Sequence, residues 1–470
     1  MIRFLYQKEG VFMIKKKFSK VAEMCNGTLI NGRSNMIIKG ISIDTRNIQR
    51  GNLFIPIVGK RFDAHEFVPE AIAKGAVLSL WNKKNDYSGI STPLILVDDT
   101  LLALQQLASS YRDELRLLVI GITGSNGKTS TKDILSEILS MNYRVQKTIG
   151  NLNNEIGVPL TLLSLNKRSD IAVIEMGMSE KGEIRTLTQM VKPDIAIITS
   201  IGKAHFANLG SEEAIVLAKL EILEGLKKDG LLLINGDNQL LKDTVHCMKI
   251  NQDVITFGQK CTNYYSYSDV IQNKYSIEFN LAKLTSQTII VPVLGIHQAS
   301  NTSAAIIIAR YLGMSMRDIM SGIANVKISQ KRNEVVQIKK CTIINDSYKS
   351  NPESLIASLT TLVKLPSNFT KVAVLGDMRD LGVDEILYHK EIGELIDPEK
   401  IQYLYTFGDN SKYFINSKVY DSNHSKHFKN MDELENTLKS FIYINSVMLV
   451  KGAHCLNMNK IVEDLRKEVI

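Results

Sequence analysis

The sequence predicts an α/β protein of three domains, and two observations carry that prediction. The chain has 470 residues, more than one hydrophobic core usually organises. Short apolar runs also alternate with helical stretches, first in the middle of the chain and again from about residue 340, as in parallel sheets covered by helices. We expect a small mixed α/β domain over 1–114, a central doubly wound parallel-sheet domain with a phosphate loop over 115–328, and a Rossmann-like α/β domain over 329–470.

The composition is that of an ordinary globular chain, with 44% hydrophobic and 23% charged residues. The formal net charge is +8, but the lysines are scattered among acids instead of forming a basic stripe with aromatic residues between them. This pattern disfavours nucleic acid as a partner. A mild positive balance suits small polyanionic substrates such as nucleotides, although solvated surface lysines explain it equally simply.

The cysteines and the apolar runs predict the cellular compartment of the protein. The five cysteines lie far apart with no metal-binding spacing, which indicates a reducing cytoplasm. The first residues lack the continuous apolar core of a signal peptide, and Met13 is an alternative start to Met1. No stretch reaches the roughly 18 uncharged apolar residues that a membrane span needs, so we expect no membrane insertion.

A glycine-rich turn between an apolar strand and an amphipathic helix is the strongest functional signal. The pattern G-x-x-x-x-G-K-[ST] would place its first glycine at Ile122, whereas the chain has Gly121, so GITGSNGKT is a variant longer by one residue. The backbone amides of 124–129 would surround phosphates, and Lys128 would reach the β and γ oxygens. The Thr129 hydroxyl is then a natural Mg²⁺ ligand. A turn without a ligand is the alternative, and the flanking strand and helix disfavour it.

Further polar residues suit nucleotide or metal binding, although each alone has a structural explanation. Glu175 ends an apolar strand, where open parallel sheets place ligand-binding groups. His205 follows the next strand and Lys219 lies on the following helix, but such residues are more often structural. The other candidates are Asn151, Asn153 and Asn154 in one loop, Asn301 ahead of an apolar helix as ligand or N-cap, and Asp346 at a strand end.

The order and spacing of these segments resemble the Mur ligase family over residues 20–465. The motifs that carry the resemblance are, in chain order, ISIDTRNIQRGNLFIPIVGKRFDAHEF, GITGSNGKTSTKD, GNLNNEIGVPLTLL, EMGM, AKLEI, INGDN, GIHQASN, KRNEV, NDSYKSNPES, VLGDMRDLG and VKGAHCLNMNKIVE. EMGM resembles most closely the members that join D-Ala-D-Ala to a UDP-N-acetylmuramoyl tripeptide. The resemblance implies a UDP-substrate-binding N-terminal domain, a central ATPase domain and a C-terminal ligase domain.

The resemblance also implies roles for individual residues. ATP would contact Gly124, Ser125, Asn126, Gly127, Lys128, Thr129 and Ser130, together with Asn301, Arg332 and Asp346. Two Mg²⁺ ions would lie near Thr129, Glu175 and His205, with Lys219 carbamylated by CO2 to position the second ion. The UDP end of the acceptor would meet Asp44, Thr45 and Arg46, and Asn153, Asn154 and Ser179 would face the peptide or the phosphates. The expected catalytic residues are Lys128, Lys219 and His205.

The implied activity is that of a monomeric, cytoplasmic, ATP-dependent carboxylate–amine ligase of peptidoglycan precursor synthesis. ATP would phosphorylate the terminal carboxylate of the UDP-N-acetylmuramoyl tripeptide, and the amine of D-Ala-D-Ala would attack the acyl phosphate through a tetrahedral intermediate. Lys128 and the metal ions would neutralise charge during phosphoryl transfer. Closure of the domains would align the substrates and exclude water.

Several positions depart from the usual family motifs. Lys349 and Ser350 replace Asn-Ala, Gln298 replaces Asn, Ala64 replaces Gly before His65, and His454 stands where an arginine near the incoming amine is usual. Most of these changes lie in the last domain, so a paralogue that joins a different carboxylate and amine is an alternative. A nucleotide-binding regulator that ligates nothing is another. Folylpolyglutamate-type synthases share the ATP loop but lack the N-terminal UDP module.

Overall fold

The computed structural model describes residues 14–59, 62–202, 206–415 and 420–468, and its strands form sheets of two, five, nine and six strands. The choice between Met1 and Met13 as the start, and the predicted site residue His205, lie outside the described residues. Within the described ranges, each helix is too short or too polar to cross a membrane. The observed architecture is the mixed α/β fold, with parallel sheets, that the sequence predicts.

The N-terminal part is built on the five-stranded sheet, in the order β2-β7-β6-β5-β4. Its elements are β1 (Lys15–Lys17), α1 (Phe18–Met24), β2 (Thr28–Ile30), β3 (Ile37–Lys39), β4 (Ile41–Ser42), β5 (Leu53–Phe54), α2 (Val68–Ala73), β6 (Leu78–Asn82), β7 (Leu94–Val97) and α3 (Thr100–Asp113). Strands β4 to β7 run parallel, β2 pairs antiparallel with β7, and β1 pairs with β3 in the two-stranded sheet.

The central part is built on the nine-stranded sheet, in the order β16-β15-β14-β13-β12-β11-β8-β10-β9. Its strands are β8 (Leu118–Thr123), β9 (Val145–Lys147), β10 (Ile171–Glu175), β11 (Ile195–Ile198), β12 (Leu231–Asn235), β13 (Asp253–Gly258), β14 (Tyr265–Gln272), β15 (Ile277–Leu281) and β16 (Ile289–Val291). Its helices are α4 (Lys128–Leu139), α5 (Gly157–Ser164), α6 (Glu183–Val191), α7 (Phe206–Leu209), α8 (Glu212–Leu220), α9 (Gln239–Cys247), α10 (Gln298–Tyr311) and α11 (Met316–Ala324). The pairs from β9 to β14 are parallel, whereas β14, β15 and β16 pair antiparallel.

Strand register brings the ends of three central strands to one edge of this sheet. Glu175 at the end of β10 lies opposite Ile122 of β8, and Ile198 at the end of β11 lies opposite Thr123. These strands are continuous apolar runs because helices cover both faces of the sheet. The glycine-rich loop that follows β8 therefore begins between a buried carboxylate on one side and the residues after β11 on the other.

The C-terminal part is built on the six-stranded sheet, in the order β17-β18-β22-β19-β20-β21. Its elements are β17 (Glu334–Ile338), β18 (Cys341–Asp346), α12 (Pro352–Lys364), β19 (Thr370–Gly376), α13 (Glu385–Leu395), β20 (Tyr403–Phe407), β21 (Ser425–Phe428), α14 (Met431–Leu438), β22 (Ser446–Lys451) and α15 (Asn459–Lys467). Only β17 is antiparallel to its neighbour. Asp346 and Lys451 end the adjacent parallel strands β18 and β22 and are direct register partners.

One hydrophobic core crosses from the N-terminal sheet into the central one, and it includes residues of α1, α3, α5 and α6. Buried Arg112 at the end of α3 reinforces this contact by donating hydrogen bonds to the backbone carbonyls of Val191 (2.8 Å) and Lys192 (3.1 Å). The limit expected at 114/115 stays a prediction because the core is continuous there. The limit at 328/329 also stays a prediction, and it falls between the central and C-terminal sheets.

Candidate functional site

A cavity of about 640 Å³ lies between the central and C-terminal sheets. It brings together most of the residues that the sequence singles out, namely Ser125, Asn126, Gly127, Lys128, Thr129, Ser130, Asn153, Asn154, Glu175, Ser179, Asn301, Arg332 and Asp346. Gly124 and Lys219 are not among the residues that line it. The roles of these residues remain predictions, but their proximity to one cavity is a property of the fold.

The glycine-rich loop is held in shape by the segment after β11. The backbone N–H of Ser125 donates to the Ser200 carbonyl, and that of Asn126 donates to Ser200 Oγ, each at 2.9 Å. Thr199 Oγ1 donates to the Asn126 carbonyl at 2.6 Å. Helix α4 begins directly after the loop, so its first N–H groups have no partner within the helix and can bind an anion.

Lys128 is positioned by this loop, and its surroundings lower its pKa. Its Nζ donates to the Gly124 carbonyl at 2.6 Å. The pKa of Lys128 is lowered to about 8, mainly by burial and also by the positive charges of Lys349 and Arg332, against the opposing effect of Glu175. An anion that binds beside this ammonium would therefore restore its charge.

Glu175 is the buried anion of the cavity, with 1% of its surface exposed. Thr129 Oγ1 donates to Oε2 and Asn153 Nδ2 donates to Oε1, both at 2.8 Å. The ammonium of Lys132, itself 1% exposed, lies 3.7 Å from Oε2. Lys132 was not predicted as a site residue, although its position one helical turn after Lys128 places it on the same side of α4.

The oxygens of Thr129 and Glu175 fit a magnesium ion, which prefers oxygen ligands and usually keeps several waters and substrate phosphates. In the described ranges, no group of three or more His, Cys, Asp or Glu residues could hold a metal by itself. A metal at this position would therefore take its other ligands from phosphate oxygens, waters or a modified side chain.

Lys219 lies on α8 and is 2% exposed. Burial lowers its pKa well below the usual value, and the charges of Lys128 and Lys349 lower it further. Among the causes of this shift from the described residues, no carboxylate opposes the lowering. These effects favour the neutral amine, the form that reacts with CO2.

Asn301 contacts the glycine-rich loop from α10. Its Oδ1 accepts a hydrogen bond from Thr131 Oγ1 at 3.3 Å, and its Nδ2 donates to Gln298 Oε1 at 2.8 Å. The alternative interpretation of Asn301 as an N-cap in a loop is wrong, because α10 already begins at Gln298. The departure from the usual motif at Gln298 thus places a longer amide next to Asn301.

The C-terminal part contributes charges that the sequence could not place in space. Asp346 Oδ2 accepts hydrogen bonds from Lys451 Nζ (2.5 Å) and Ser358 Oγ (2.7 Å). The Arg332 guanidinium lies over the Tyr348 ring, 4.1 Å from its centre. Motif order indicated Arg332 and Asp346, whereas Lys451 and Ser358 carried no local signal.

His297 and Asn333 also contact each other, and neither was predicted from the sequence as a site residue. Burial lowers the pKa of His297 to about 4, with Asp346 opposing that effect and Lys451 adding to it. Its Nε2 lies 3.1 Å from Asn333 Nδ2, so a neutral ring accepts that hydrogen bond. His297 lies within the quoted motif GIHQASN, and Asn333 within KRNEV, but only the fold joins them.

A second cavity of about 440 Å³ lies between the N-terminal and central parts. Asp44 and Arg46 line it, and Thr45 does not. The Arg46 guanidinium donates to Asp44 Oδ2 at 2.7 Å and holds the pKa of that carboxyl below its usual range. Asn154 lines both cavities, so they adjoin at this residue.

The positions that depart from the family motifs have different environments. Lys349 lines the first cavity, whereas Ser350 is 2% exposed and does not. Exposed His454 contacts the Tyr348 ring edge to face, with 5.6 Å between the ring centres. Ala64 is buried beside His65, which accepts a hydrogen bond from the Asn82 backbone N–H.

A phosphate loop facing a cavity that a second α/β unit completes is typical of proteins that bind nucleotide phosphates. Three family models match the chain: the Mur ligase family catalytic domain at residues 37–112, the Mur ligase middle domain at 122–309, and the Mur ligase glutamate ligase domain at 331–454. The chain belongs to the Mur ligase family.

Individual proteins and solved structures show which members of the family this chain is similar to. The UDP-N-acetylmuramoyl-tripeptide–D-alanyl-D-alanine ligase of Bacillus subtilis (strain 168) is 39% identical over 457 residues, which are 96% of this chain and 99% of that protein. The crystal structure of MurF from Acinetobacter baumannii superposes with a TM-score of 0.88 at 28% identity, covering 97% of this chain and all of that one. MurF ligase from Thermotoga maritima in complex with ADP gives a TM-score of 0.81 at 26% identity, covering 91% and 97% of the two chains.

Replacing Gly127 by alanine tests whether the loop conformation is needed for nucleotide binding. A Cβ at this position would lie 2.4 Å from Asn301 Oδ1, at a φ of +84°. We expect Gly127→Ala to weaken Mg-ATP binding about tenfold or more, measured by titration calorimetry. Gly313→Ala is the matched control because Gly313 has the same φ of +84° and open space around its Cβ. Equal binding by the two variants would contradict the prediction.

The pKa of Lys128 predicts a pH dependence of nucleotide binding. Above a pH of about 8 the free lysine is neutral and must take up a proton when an anionic phosphate binds. Mg-ATP affinity should therefore be highest below that pH and fall as pH rises, approaching about tenfold per unit. Calorimetry in buffers of different ionisation heat measures the proton uptake. Lys128→Arg should remove both effects, because arginine stays protonated; persistence in that variant would assign the proton to another group.

Proposed function

We propose that this chain is the ATP-dependent ligase that joins D-Ala-D-Ala to a UDP-N-acetylmuramoyl tripeptide in peptidoglycan precursor synthesis. The observation that carries this proposal is the adjacency of two cavities, one lined by the phosphate loop and one by Asp44 and Arg46. A nucleotide-linked acceptor anchored in the second cavity would present its far end to the first. The activity printed for the Bacillus subtilis relative, which matches along 96% of this chain, supports the same assignment.

Phosphoryl transfer would take place beside the loop. The amides at the start of α4 and the ammonium of Lys128 would neutralise the negative charge of the ATP phosphates. Thr129 and Glu175 would hold Mg²⁺, which supplies electrostatic stabilisation to the phosphate oxygens. Because Glu175 is already fixed by Thr129 and Asn153, little rearrangement is needed at this point. The terminal carboxylate of the acceptor would attack the γ-phosphorus of ATP and stay in the site as an acyl phosphate, with ADP as the leaving group.

Residues from α10 and the C-terminal part would position the nucleotide. Asn301 contacts the loop from one side, and Arg332 and Asp346 line the cavity from the other. Asp346 is oriented by Lys451 and Ser358 at Oδ2 and by the Asn333 N–H at Oδ1, so its carboxylate has a fixed direction. Closure of these elements would exclude water from the acyl phosphate. Attack by the D-Ala-D-Ala amine and departure of phosphate would complete the amide.

The acceptor would run past Asn154 from one cavity to the other. Asp44, Thr45 and Arg46 would meet its UDP end, and Asn153, Asn154 and Ser179 would face its peptide. UDP-linked substrates and ATP are cytoplasmic metabolites, so we place the enzyme in the cytoplasm, acting as a monomer. Lys349 and His454 depart from the usual motifs at the C-terminal side of the first cavity. They favour, as a second candidate, a paralogue with the same ATP chemistry and a different amine.

Phosphate release with single components omitted tests the proposed activity. We expect release only when ATP, Mg²⁺, UDP-N-acetylmuramoyl tripeptide and D-Ala-D-Ala are all present, with the amide product confirmed by mass spectrometry. Release that needs the tripeptide but another amine would identify the paralogue. Release indifferent to both acceptors would exclude a ligase and favour a nucleotide-binding regulator.

The buried position of Lys219 leads to a separate test of its carbamylation. We expect Lys219→Ala to lose turnover by about a hundredfold or more, because a carboxylate beside the second metal would be missing. Added acetate or bicarbonate should restore part of the activity by occupying the space that the side chain leaves. Lys228→Ala, at an exposed lysine of the same part of the chain, should be unaffected. Full activity of Lys219→Ala would rule out the carbamate.

A further inference from the structure

Lys349 lies in the segment between β18 and α12 and lines the first cavity together with Lys128 and Thr129. It stands where the family usually has an asparagine, so its charge is a feature of this chain. Burial lowers the pKa of Lys349, Asp380 opposes that effect, and Arg332 adds to it. A cationic side chain is therefore held partly out of water, near a second cation.

The backbone on either side of Lys349 is fixed by hydrogen bonds within the C-terminal part, and the same segment contacts the central part. The N–H of Tyr348 donates to the Lys331 carbonyl at 3.2 Å, and Lys451 Nζ donates to the carbonyl of Lys349 itself at 3.0 Å. Two residues further on, Asn351 Nδ2 donates to Asn126 Oδ1 of the phosphate loop at 2.9 Å. Lys349 thus reaches the cavity from a segment that touches the phosphate loop directly.

The positive charge around Lys349 indicates that this part of the cavity binds an anion during function. After burial and the opposing effect of Glu175, the positive charge of Lys349 is the next influence on the pKa of Lys128, and it also lowers that of Lys219. Lys128 and Lys349, from different elements, both line the cavity, and their charges repel one another. Such a pair is unfavourable by itself and becomes favourable when a multiply charged anion lies between its members.

We propose that Lys349 binds the terminal phosphate of the nucleotide and follows it onto the acyl phosphate, as a cation that the C-terminal part supplies to phosphoryl transfer. This inference rests on the proposed function only in taking ATP as the nucleotide. The alternative anion is the carboxylate of the amine substrate. Lys349 lines the cavity together with Lys128 of the phosphate loop, which favours the phosphate. Lys349 would form no covalent bond during the reaction, so the stoichiometry of the reaction is unchanged.

A contact to the terminal phosphate distinguishes ATP from ADP, and this distinction can be measured without any acceptor. In Lys349→Met we expect the affinity for Mg-AMP-PNP, a non-hydrolysable ATP analogue, to fall about tenfold or more, since a charged hydrogen bond is lost. ADP affinity should change less than about twofold. Lys349→Arg should keep most of the preference for the analogue, because it retains the charge. Titration calorimetry gives both affinities, and thermal unfolding shows whether each variant is folded.

Lys340→Met is the matched control, since Lys340 is an exposed lysine of the same part of the chain. It should leave both affinities unchanged. Equal losses for the analogue and ADP, or no loss for either, would overturn the proposal. So would a rise confined to the KM for D-Ala-D-Ala, which would assign Lys349 to the carboxylate of the amine. Absence of acceptor-dependent phosphate release in the unmodified enzyme would instead refute the proposed function, independently of the ratio of the two affinities.

Discussion

Much of the site depends on the burial of one carboxylate, that of Glu175. A buried charge is tolerated only when hydrogen bonds and opposite charges compensate it. Here the compensation comes from Thr129 and Lys132 on α4 and from Asn153 in the loop before α5. Because Thr129 and Lys132 must reach the Glu175 carboxylate, the start of α4 is fixed relative to β10. Because Asn153 must reach it too, the 151–154 loop is fixed relative to both. The phosphate loop takes its position from this arrangement.

Polar contacts at the cavity join the C-terminal part to the central part. Asn351 caps α12 with its Oδ1 and donates through its Nδ2 to Asn126, so one amide links a helix start to the phosphate loop. His297 and Asn333 form a second contact, between α10 and the segment before β17. Polar interfaces of this kind separate at smaller cost than apolar ones, which suits an enzyme that must admit substrates and then close.

Local sequence predicts those features that depend on neighbouring residues. The loop at 124–129 is flanked by strand and helix as expected, and Glu175 ends its strand, because glycine spacing and apolar runs act over a few positions. Contacts between distant segments leave no such pattern: Asp346 and Lys451 are 105 positions apart, and only sheet order joins them. Asn301 was ambiguous because the start of α10 depends on packing as well as on capping. The residue roles themselves came from motif order, which spans the whole chain, and not from local pattern.

Asn154 lines both cavities, so the fold fixes the distance between the two cavities. An acceptor held by its nucleotide end would extend past this amide, and only a chain of matching length would bring its terminal carboxylate to the phosphate loop. Shorter precursors would bind through the same nucleotide end and stop short of Lys128. The distance between the cavities would thus act as a ruler that selects for the completed tripeptide, without any contact that identifies its individual side chains.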